Sequence, residues 1–206
     1  MKRVLIVAFP VLFSLACIAA TPTAGPNTVV GETPAPTLMT PSPTAEIIDT
    51  PAVVETPAEG MVNVWVFFTM AADENMTPVP AERYVPQTDN PAELVRTTFK
   101  ELLKGPTDAE KAAGLISWFS GATAGAITGV AGVGGEYTVD FTGLNMLIPN
   151  ASTSAGSQML MSQLNSTVFQ FDFVQSVGYT LDGNCAAFWE WLQMGCHTVS
   201  RAEWEG

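Results

Sequence analysis

Basic residues are scarce in this sequence. Eight Lys and Arg stand against 20 Asp and Glu among 206 residues, so the formal net charge is -12. A protein that binds nucleic acid neutralises phosphates with clustered Lys and Arg, and electrostatic docking on anionic lipid needs the same charges. The composition therefore argues against nucleic acid as a partner and against electrostatic docking on a membrane.

Histidine and cysteine are also rare. The single histidine, His197, stands beside Cys196 in a polar tail. Side chains that are adjacent in sequence rarely align for proton transfer, which argues against a Cys-His catalytic pair. Cys185, Cys196 and His197 offer zinc three ligands where a structural site needs four. We therefore predict no catalytic residue and no metal site here, and no cofactor.

Hydrophobic runs long enough to span a membrane are lacking. Residues 4–16 are largely apolar and follow Lys2 and Arg3, but a bilayer span needs about 20 apolar residues. A basic start followed by a short apolar run is typical of a secretory signal peptide. We therefore predict that residues 1–20 direct export.

Cys17 stands near the end of this export segment. Residues 14–16, Ser-Leu-Ala, precede it and resemble the lipobox of bacterial lipoproteins, in which a small residue precedes a cysteine that becomes lipidated. The resemblance implies a lipid anchor at Cys17, with the protein held on the outer side of the cytoplasmic membrane, extracellular or periplasmic. The alternative is ordinary cleavage after Ala19 or Ala20, which would remove Cys17.

Residues 21–60 are rich in proline and threonine. They hold eight prolines and nine threonines, with five acidic residues and no Lys or Arg. Proline fixes φ and removes a backbone donor, so the segment cannot build a helix or the interior of a sheet. Its few large apolar residues cannot form a core. We predict a disordered linker that separates the folded domain from the membrane.

Periodic apolar patterns begin at residue 61. Alternation predicts strands, and spacing of three to four residues after a cap residue predicts helices. Gly134 and Gly135 predict the turn of a hairpin. The predicted elements are a central strand covered on both faces at 62–68, a short edge strand at 83–85 within a loop over 73–89, a helix capped by Asn90, a helical turn capped by Thr107, a hairpin over 124–141, a helix over 152–171 and a strand over 173–181.

This order predicts an α+β fold, in which two helices pack on one face of a small mixed sheet, β-α-β-β-α-β. Five segments occur in a characteristic order: Arg83 with its neighbours, 102–107 (LLKGPT), 114–117 (GLIS), 138–141 (TVDF) and 181–183 (LDG). In this order they resemble the GerMN domain of sporulation and spore-germination lipoproteins. The resemblance covers about residues 62–183, so we place the domain at 61–183, and it implies a fold like that of ring-building envelope modules and a non-enzymatic role.

Residues 184–206 are predicted as a C-terminal extension. Cys185 and Cys196 enclose a short apolar segment, and exported thiols usually oxidise. We therefore predict a disulfide between Cys185 and Cys196 and a short helix inside its loop. A closed loop of this length stabilises a fold by about 2–3 kcal/mol.

Two further groups of side chains have a functional and a structural interpretation. Asp140 and Asp182 are acid/base or calcium candidates, but each ends a strand, where Asp commonly closes a turn. The tryptophans are candidates for a sugar-binding surface, yet scattered tryptophans more often pack in a core. The structural interpretation is favoured for both groups. The tryptophans are Trp65, Trp118, Trp189, Trp191 and Trp204.

These patterns lead to three functional hypotheses. The first is an envelope lipoprotein whose domain binds an envelope protein partner or assembles with itself, which needs an exposed apolar patch or a free sheet edge. The second is a module that binds cell-wall polysaccharide or peptidoglycan, which needs aromatic rings on an exposed face. The third is an envelope hydrolase with paired carboxylates in a cleft. The sequence assigns no binding residues.

Overall fold

The computed structural model describes residues 58–206, which form two sheets and six α-helices. The predicted signal peptide, Cys17 and nearly all of the predicted linker lie outside the described residues. Sheet A contains β1 (Met61–Met70), β2 (Pro78–Pro86) and β3 (Leu115–Ile116) in the order β2-β1-β3. Sheet B contains β4 (Ile127–Val133), β5 (Glu136–Phe141), β6 (Ser176–Leu181) and β7 (Thr198–Ser200) in the order β4-β5-β6-β7.

The helices are α1 (Pro91–Leu103), α2 (Asp108–Ala112), α3 (Leu144–Leu147), α4 (Ser154–Phe169), α5 (Cys185–Trp191) and α6 (Arg201–Glu205). The predicted α+β class is confirmed. The prediction of one sheet is wrong, because the strands divide between two sheets. Among residues 58–206, no helix is both long and apolar enough to cross a bilayer.

Strand β1 occupies the centre of sheet A, as its apolar alternation predicts. Val64, Val66 and Phe68 are buried on one face. Trp65, on the other face, is 43% exposed, so the expectation that both faces are covered is wrong there. Strand β2 is also longer than predicted: it pairs with β1 along nine residues and not only around Arg83. Its prolines and charges had favoured a loop, and tertiary pairing overrides that preference.

Helix α1 begins at the predicted cap. The Asn90 side chain accepts hydrogen bonds from the backbone of Ala92 and Glu93, which satisfies amides that have no partner inside the helix. The Glu93 carboxylate does not bond back to the cap residue but pairs with Arg96. Helix α2 does have a reciprocal capping box. The stripe of α1 that packs into the core consists of Val95, Phe99, Leu102 and Leu103.

Sheet B is mixed. Strands β4 and β5 form the predicted antiparallel hairpin, and Gly134 and Gly135 both have positive φ, as a two-residue hairpin turn requires. Strand β6 is parallel to β5 and returns after the crossover that contains α4. It begins at Ser176, three residues later than predicted, because Phe173 lies in the preceding turn.

Along part of β1, side chains at the C-terminal end of α4 make the backbone hydrogen bonds that a neighbouring strand would otherwise make. The side-chain amide of Gln170 accepts from the Trp65 N–H at 2.8 Å and donates to the Trp65 carbonyl, and Thr167 Oγ1 accepts from the Phe67 N–H at 3.1 Å. A glutamine amide presents the same donor and acceptor as a peptide group. One side of α4 is polar in sequence and yet buried. Its polar side chains can be buried because they have hydrogen-bond partners in sheet A.

The predicted C-terminal extension completes sheet B. Strand β7 pairs with β6, and the predicted helix α5 buries Phe188 and Trp189 against the sheet. The Phe188 ring stacks on Tyr179, with 5.3 Å between ring centroids. A disulfide joins Cys185 to Cys196, whose Cα atoms are 5.5 Å apart. Residues after 183 therefore belong to the same core as the rest of the sheet.

Candidate functional site

Strand β4 has a free edge. It forms one outer edge of sheet B, and its sequence, ITGVAGV, contains no charge and no proline. Because Val133 and Glu136 flank the two-residue turn, they form a hydrogen-bonded pair, and alternation then directs the backbone groups of Val130 and Gly132 away from β5. Neither of these two residues makes a hydrogen bond to any other element among residues 58–206. We call these outward groups the β4 edge.

The face of sheet B that points away from the helices is flat. Its side chains are small, because the register places Ala131, Thr138, Gly178 and Thr198 in one row across the four strands. The opposite face carries Val139, Phe141, Val177 and Tyr179, which are fully buried. We call the small-residue surface the outer face; it is continuous with the β4 edge.

The outer face is acidic. No Lys or Arg occurs between Lys111 and Arg201, whereas Glu136 and Asp140 lie on this face. Partial burial would raise the pKa of Asp140, but hydrogen bonds from Thr128, Thr180 and the Gly183 backbone outweigh burial and lower it. Asp140 therefore stays ionised at neutral pH and contributes a permanent negative charge.

A groove lies on the other side of the domain, between α4 and the C-terminal segment. Its volume is about 370 Å³, and its walls include Met161, Trp189, Met194 and Trp204. Asn165, which is only 3% exposed, forms part of its base. The Tyr179 hydroxyl donates a hydrogen bond to Asn165 Oδ1 at 2.8 Å. Asn165 Nδ2 has no hydrogen-bond acceptor among the described residues.

Comparison with known families gives a clear result. Residues 65–185, more than half of the chain, match the family described as Germane, sporulation and spore germination. The chain belongs to this family. The resemblance to GerMN domains that the sequence predicts is thereby confirmed. No curated protein matches the Germane-family chain.

Two solved structures are similar to this Germane-family chain. The tandem GerMN domains of the sporulation protein GerM from Bacillus subtilis share 16% identity with it, and the match has a TM-score of 0.49. That match covers 73% of this chain and 48% of the other, so this chain spans about half of that structure. A protein from Clostridium perfringens described as a lipoprotein shares 9% identity, with 73% and 94% coverage and a TM-score of 0.39.

The cysteine and histidine candidates of the Germane domain have structural partners. Cys185 and Cys196 are bonded to each other, so neither sulfur is free to act as a nucleophile or zinc ligand. The His197 ring lies against Trp189, with 3.7 Å between ring centroids. Within residues 58–206 no group of three or more His, Cys, Asp and Glu side chains is arranged to hold a metal ion.

The two aspartates that were candidates for acid/base chemistry or calcium binding each accept hydrogen bonds from turn residues. Asp140 accepts from the Gly183 N–H at 2.7 Å, and Asp182 accepts from the Thr142 hydroxyl at 2.6 Å. Both aspartates thus tie the end of β5 to the turn after β6. Their carboxylate oxygens accept from hydroxyls and a backbone amide of this sheet and its turns, as expected when Asp closes a turn.

The tryptophans divide into separate environments. Trp118 donates to the Gly156 carbonyl at 3.2 Å, and Trp65 lies exposed on sheet A. Trp189 and Trp204 both line the groove, together with residues of α4 that lie much earlier in the sequence. The sequence does not predict that these two rings lie close together, because their proximity depends on how β7 and α6 pack beside α4.

Sequence patterns also leave the β4 edge and Asn165 unassigned. A signal for each exists. The absence of charge and proline in residues 127–133 is unusual for an outer strand. Asn165 interrupts an apolar helical series formed by Leu160, Leu164 and Val168, which are buried around it. Neither signal shows by itself which strand is outermost or which side chain lies under a groove.

Proposed function

We propose that this chain is a non-enzymatic envelope lipoprotein whose Germane domain binds a protein partner through the β4 edge. The observation that carries the proposal is that edge: an unpaired strand with no charge, no proline and outward backbone groups at Val130 and Gly132. Unprotected edges pair readily with an extended strand of another chain. Family membership supports a sporulation-related, non-catalytic role.

Charge indicates what kind of strand fits. The outer face beside the edge carries Glu136 and Asp140, and the chain from 112 to 200 has no Lys or Arg. A second copy would bring the same uncompensated carboxylates to the contact, where like charges disfavour association. The proposed partner is therefore a different protein that supplies an extended segment with Lys or Arg on the side facing Glu136.

The anchoring part of the proposal depends on Cys17. A lipid at this position would hold the protein on the membrane, and the Pro/Thr-rich residues 21–60 would separate the domain from the bilayer. Metabolic labelling with a radioactive fatty acid tests this directly in the native host. Label is expected in the wild-type protein and absent from Cys17→Ala. Equal labelling of both proteins, or none in either, would contradict the anchor.

Site-specific photo-crosslinking tests the partner surface. A photoreactive residue is placed at Ala131 in β4 or, for comparison, at Glu82 in β2, and the full chain is expressed in its native envelope. Crosslinking to a different protein is expected from position 131 and not from position 82. The yield should fall at high salt and in Glu136→Lys, because both weaken attraction for a basic strand.

A matched pair of proline variants tests whether backbone pairing is the cause. Val130→Pro removes an outward N–H of β4, whereas Glu82→Pro places a proline in the outer strand of sheet A. The crosslink from position 131 should be lost in the first variant and kept in the second, with both folded by circular dichroism. An unchanged crosslink in folded Val130→Pro, or crosslinks only between two copies of this chain, would overturn the proposal.

A further inference from the structure

We infer that the groove between α4 and the C-terminal segment is a binding site for an N-acetylated sugar, with the acetamido group at its base. This site lies apart from the β4 edge, and the inference does not depend on the proposed protein partner. Ligand sites are mostly apolar concavities with a few well-placed polar groups, and a volume of about 370 Å³ suits a single sugar ring.

The base of the groove presents an amide donor on the nearly buried side chain of Asn165. Burial raises the pKa of Tyr179 well above its usual value, so its hydroxyl remains protonated and donates to Asn165 Oδ1. This bond fixes the orientation of the Asn165 amide, because Oδ1 is already the acceptor. Nδ2 then remains as the donor at the groove. No described residue accepts from this donor, which is therefore free to donate to a carbonyl oxygen of a ligand in the groove.

The walls around this donor are apolar. Met161, Met194 and Val199 line the groove beside Asn165, and the Trp204 ring forms part of its wall. An acetamido group combines a carbonyl oxygen with a methyl group, so it satisfies the amide donor and the methionine side chains together. The flat apolar side of a pyranose ring packs well against an indole.

The rim determines which ligands are disfavoured. Glu203 is the one charged residue that lines the groove, and no ion pair engages its carboxylate among the described residues. Gln158 uses its amide nitrogen to donate to the Asn75 carbonyl, which leaves its oxygen as an acceptor. These oxygens repel an anionic ligand and accept hydrogen bonds from sugar hydroxyls. The rim therefore suits a neutral polyhydroxylated ligand.

Ligand-observed NMR with the purified full chain tests the assignment. The probes are N-acetylglucosamine, glucose, which lacks the acetamido group, and N-acetylalanine methylamide, which carries an acylamide without a sugar. Saturable binding of N-acetylglucosamine is expected, with a dissociation constant of about 1 mM for one ring. Glucose should bind at least about tenfold more weakly, because it cannot engage Asn165.

Variants locate the binding. Ser157→Phe fills the groove from the exposed side of α4, and Trp204→Ala removes part of its wall; each should weaken binding by about tenfold or more. Trp65→Ala, which removes an exposed tryptophan on sheet A, is the matched control and should bind normally. Equal binding of glucose, binding of the acylamide alone, or unchanged binding in Ser157→Phe would overturn the inference.

Discussion

The outer edge of sheet A is protected from pairing with another strand, whereas the β4 edge of sheet B is not. In β2, Pro78, Pro80 and Pro86 are separated by even numbers of residues, so they share one orientation relative to β1. Since proline cannot donate to the ladder, that orientation faces outward, and the outer edge of sheet A lacks those donors. The other side of β1 is covered by β3 and by the Gln170 and Thr167 side chains of α4.

Sheet B lacks such protection at β4. Its outward backbone groups at Val130 and Gly132 have neither proline nor a covering helix side chain, although α1 packs against the inner face of the strand. Natural proteins usually protect an edge that has no partner. This difference between the two sheets is the reason for proposing the β4 edge as the binding surface.

The interiors differ as well. Sheet A is joined to α4 through hydrogen bonds: Gln163 accepts from the Ser117 hydroxyl at 2.6 Å and donates to the Ile116 carbonyl at 3.3 Å. Sheet B is held to its helices by stacked rings, including Phe141, Tyr179 and Phe188. Both sheets have buried apolar side chains, but sheet A adds hydrogen bonds to α4 and sheet B adds stacked rings, so variants can test these two contributions separately.

The largest effect is expected from the disulfide, which belongs to sheet B. The double variant Cys185→Ser, Cys196→Ser should lose about 2–3 kcal/mol of unfolding free energy, because the bond restrains the unfolded chain. Urea unfolding measures the loss. Hydrogen exchange should rise in β6, β7 and α5 and remain slow in β1. Uniformly faster exchange in both sheets would show that they unfold as one unit, and an unchanged urea midpoint would contradict the prediction.

A smaller effect is expected in sheet A from Gln163→Leu. The change keeps the volume but leaves the Ser117 hydroxyl without its acceptor and the Ile116 carbonyl with only the Thr69 hydroxyl as donor, at a cost of about 2 kcal/mol. Gln158→Leu, on the exposed side of the same helix, is the matched control and should cost no more than about 0.5 kcal/mol. Urea unfolding compares them. Equal losses in the two variants would contradict a special role for the buried amide.

The smallest effect concerns the acidic outer face. The pKa of Asp140 is lower in the folded protein than its usual value of 3.8, so its ionised form stabilises the fold. That contribution is present above pH 4 and disappears as the pH falls through the lowered folded pKa. Asp140→Asn should cost at most about 1 kcal/mol at pH 7 and reduce the loss of stability in acid. Asp172→Asn, at an exposed position, is the control and should leave the stability at pH 7 unchanged.

Local patterns predicted much of the fold. Asn90 and Thr107 begin helices α1 and α2, Gly134 and Gly135 form the hairpin turn, and the apolar segment between Cys185 and Cys196 is a buried helix. These features depend on neighbours within a few residues. They could be predicted because caps, turns and short apolar stripes act over that same distance.

Features that depend on distant pairing could not be predicted. Strand β2 looks like a loop in sequence because of its prolines, and only pairing with β1 makes it a strand. Likewise, the sequence of α4 does not indicate that Gln163 and Gln170 form hydrogen bonds with sheet A. Nothing near Asn165 in sequence reveals Tyr179 beneath it or Trp204 beside the groove.

The sequence by itself determined the caps, the turns, the acidic balance and the family resemblance, because each is encoded in adjacent or regularly spaced residues. The tertiary structure alone decided that the strands form two sheets, that β4 is outermost, and that Asn165 lies under a groove. These outcomes depend on which surfaces remain after packing. An edge or a groove is what the rest of the chain leaves uncovered, and no local pattern contains that information.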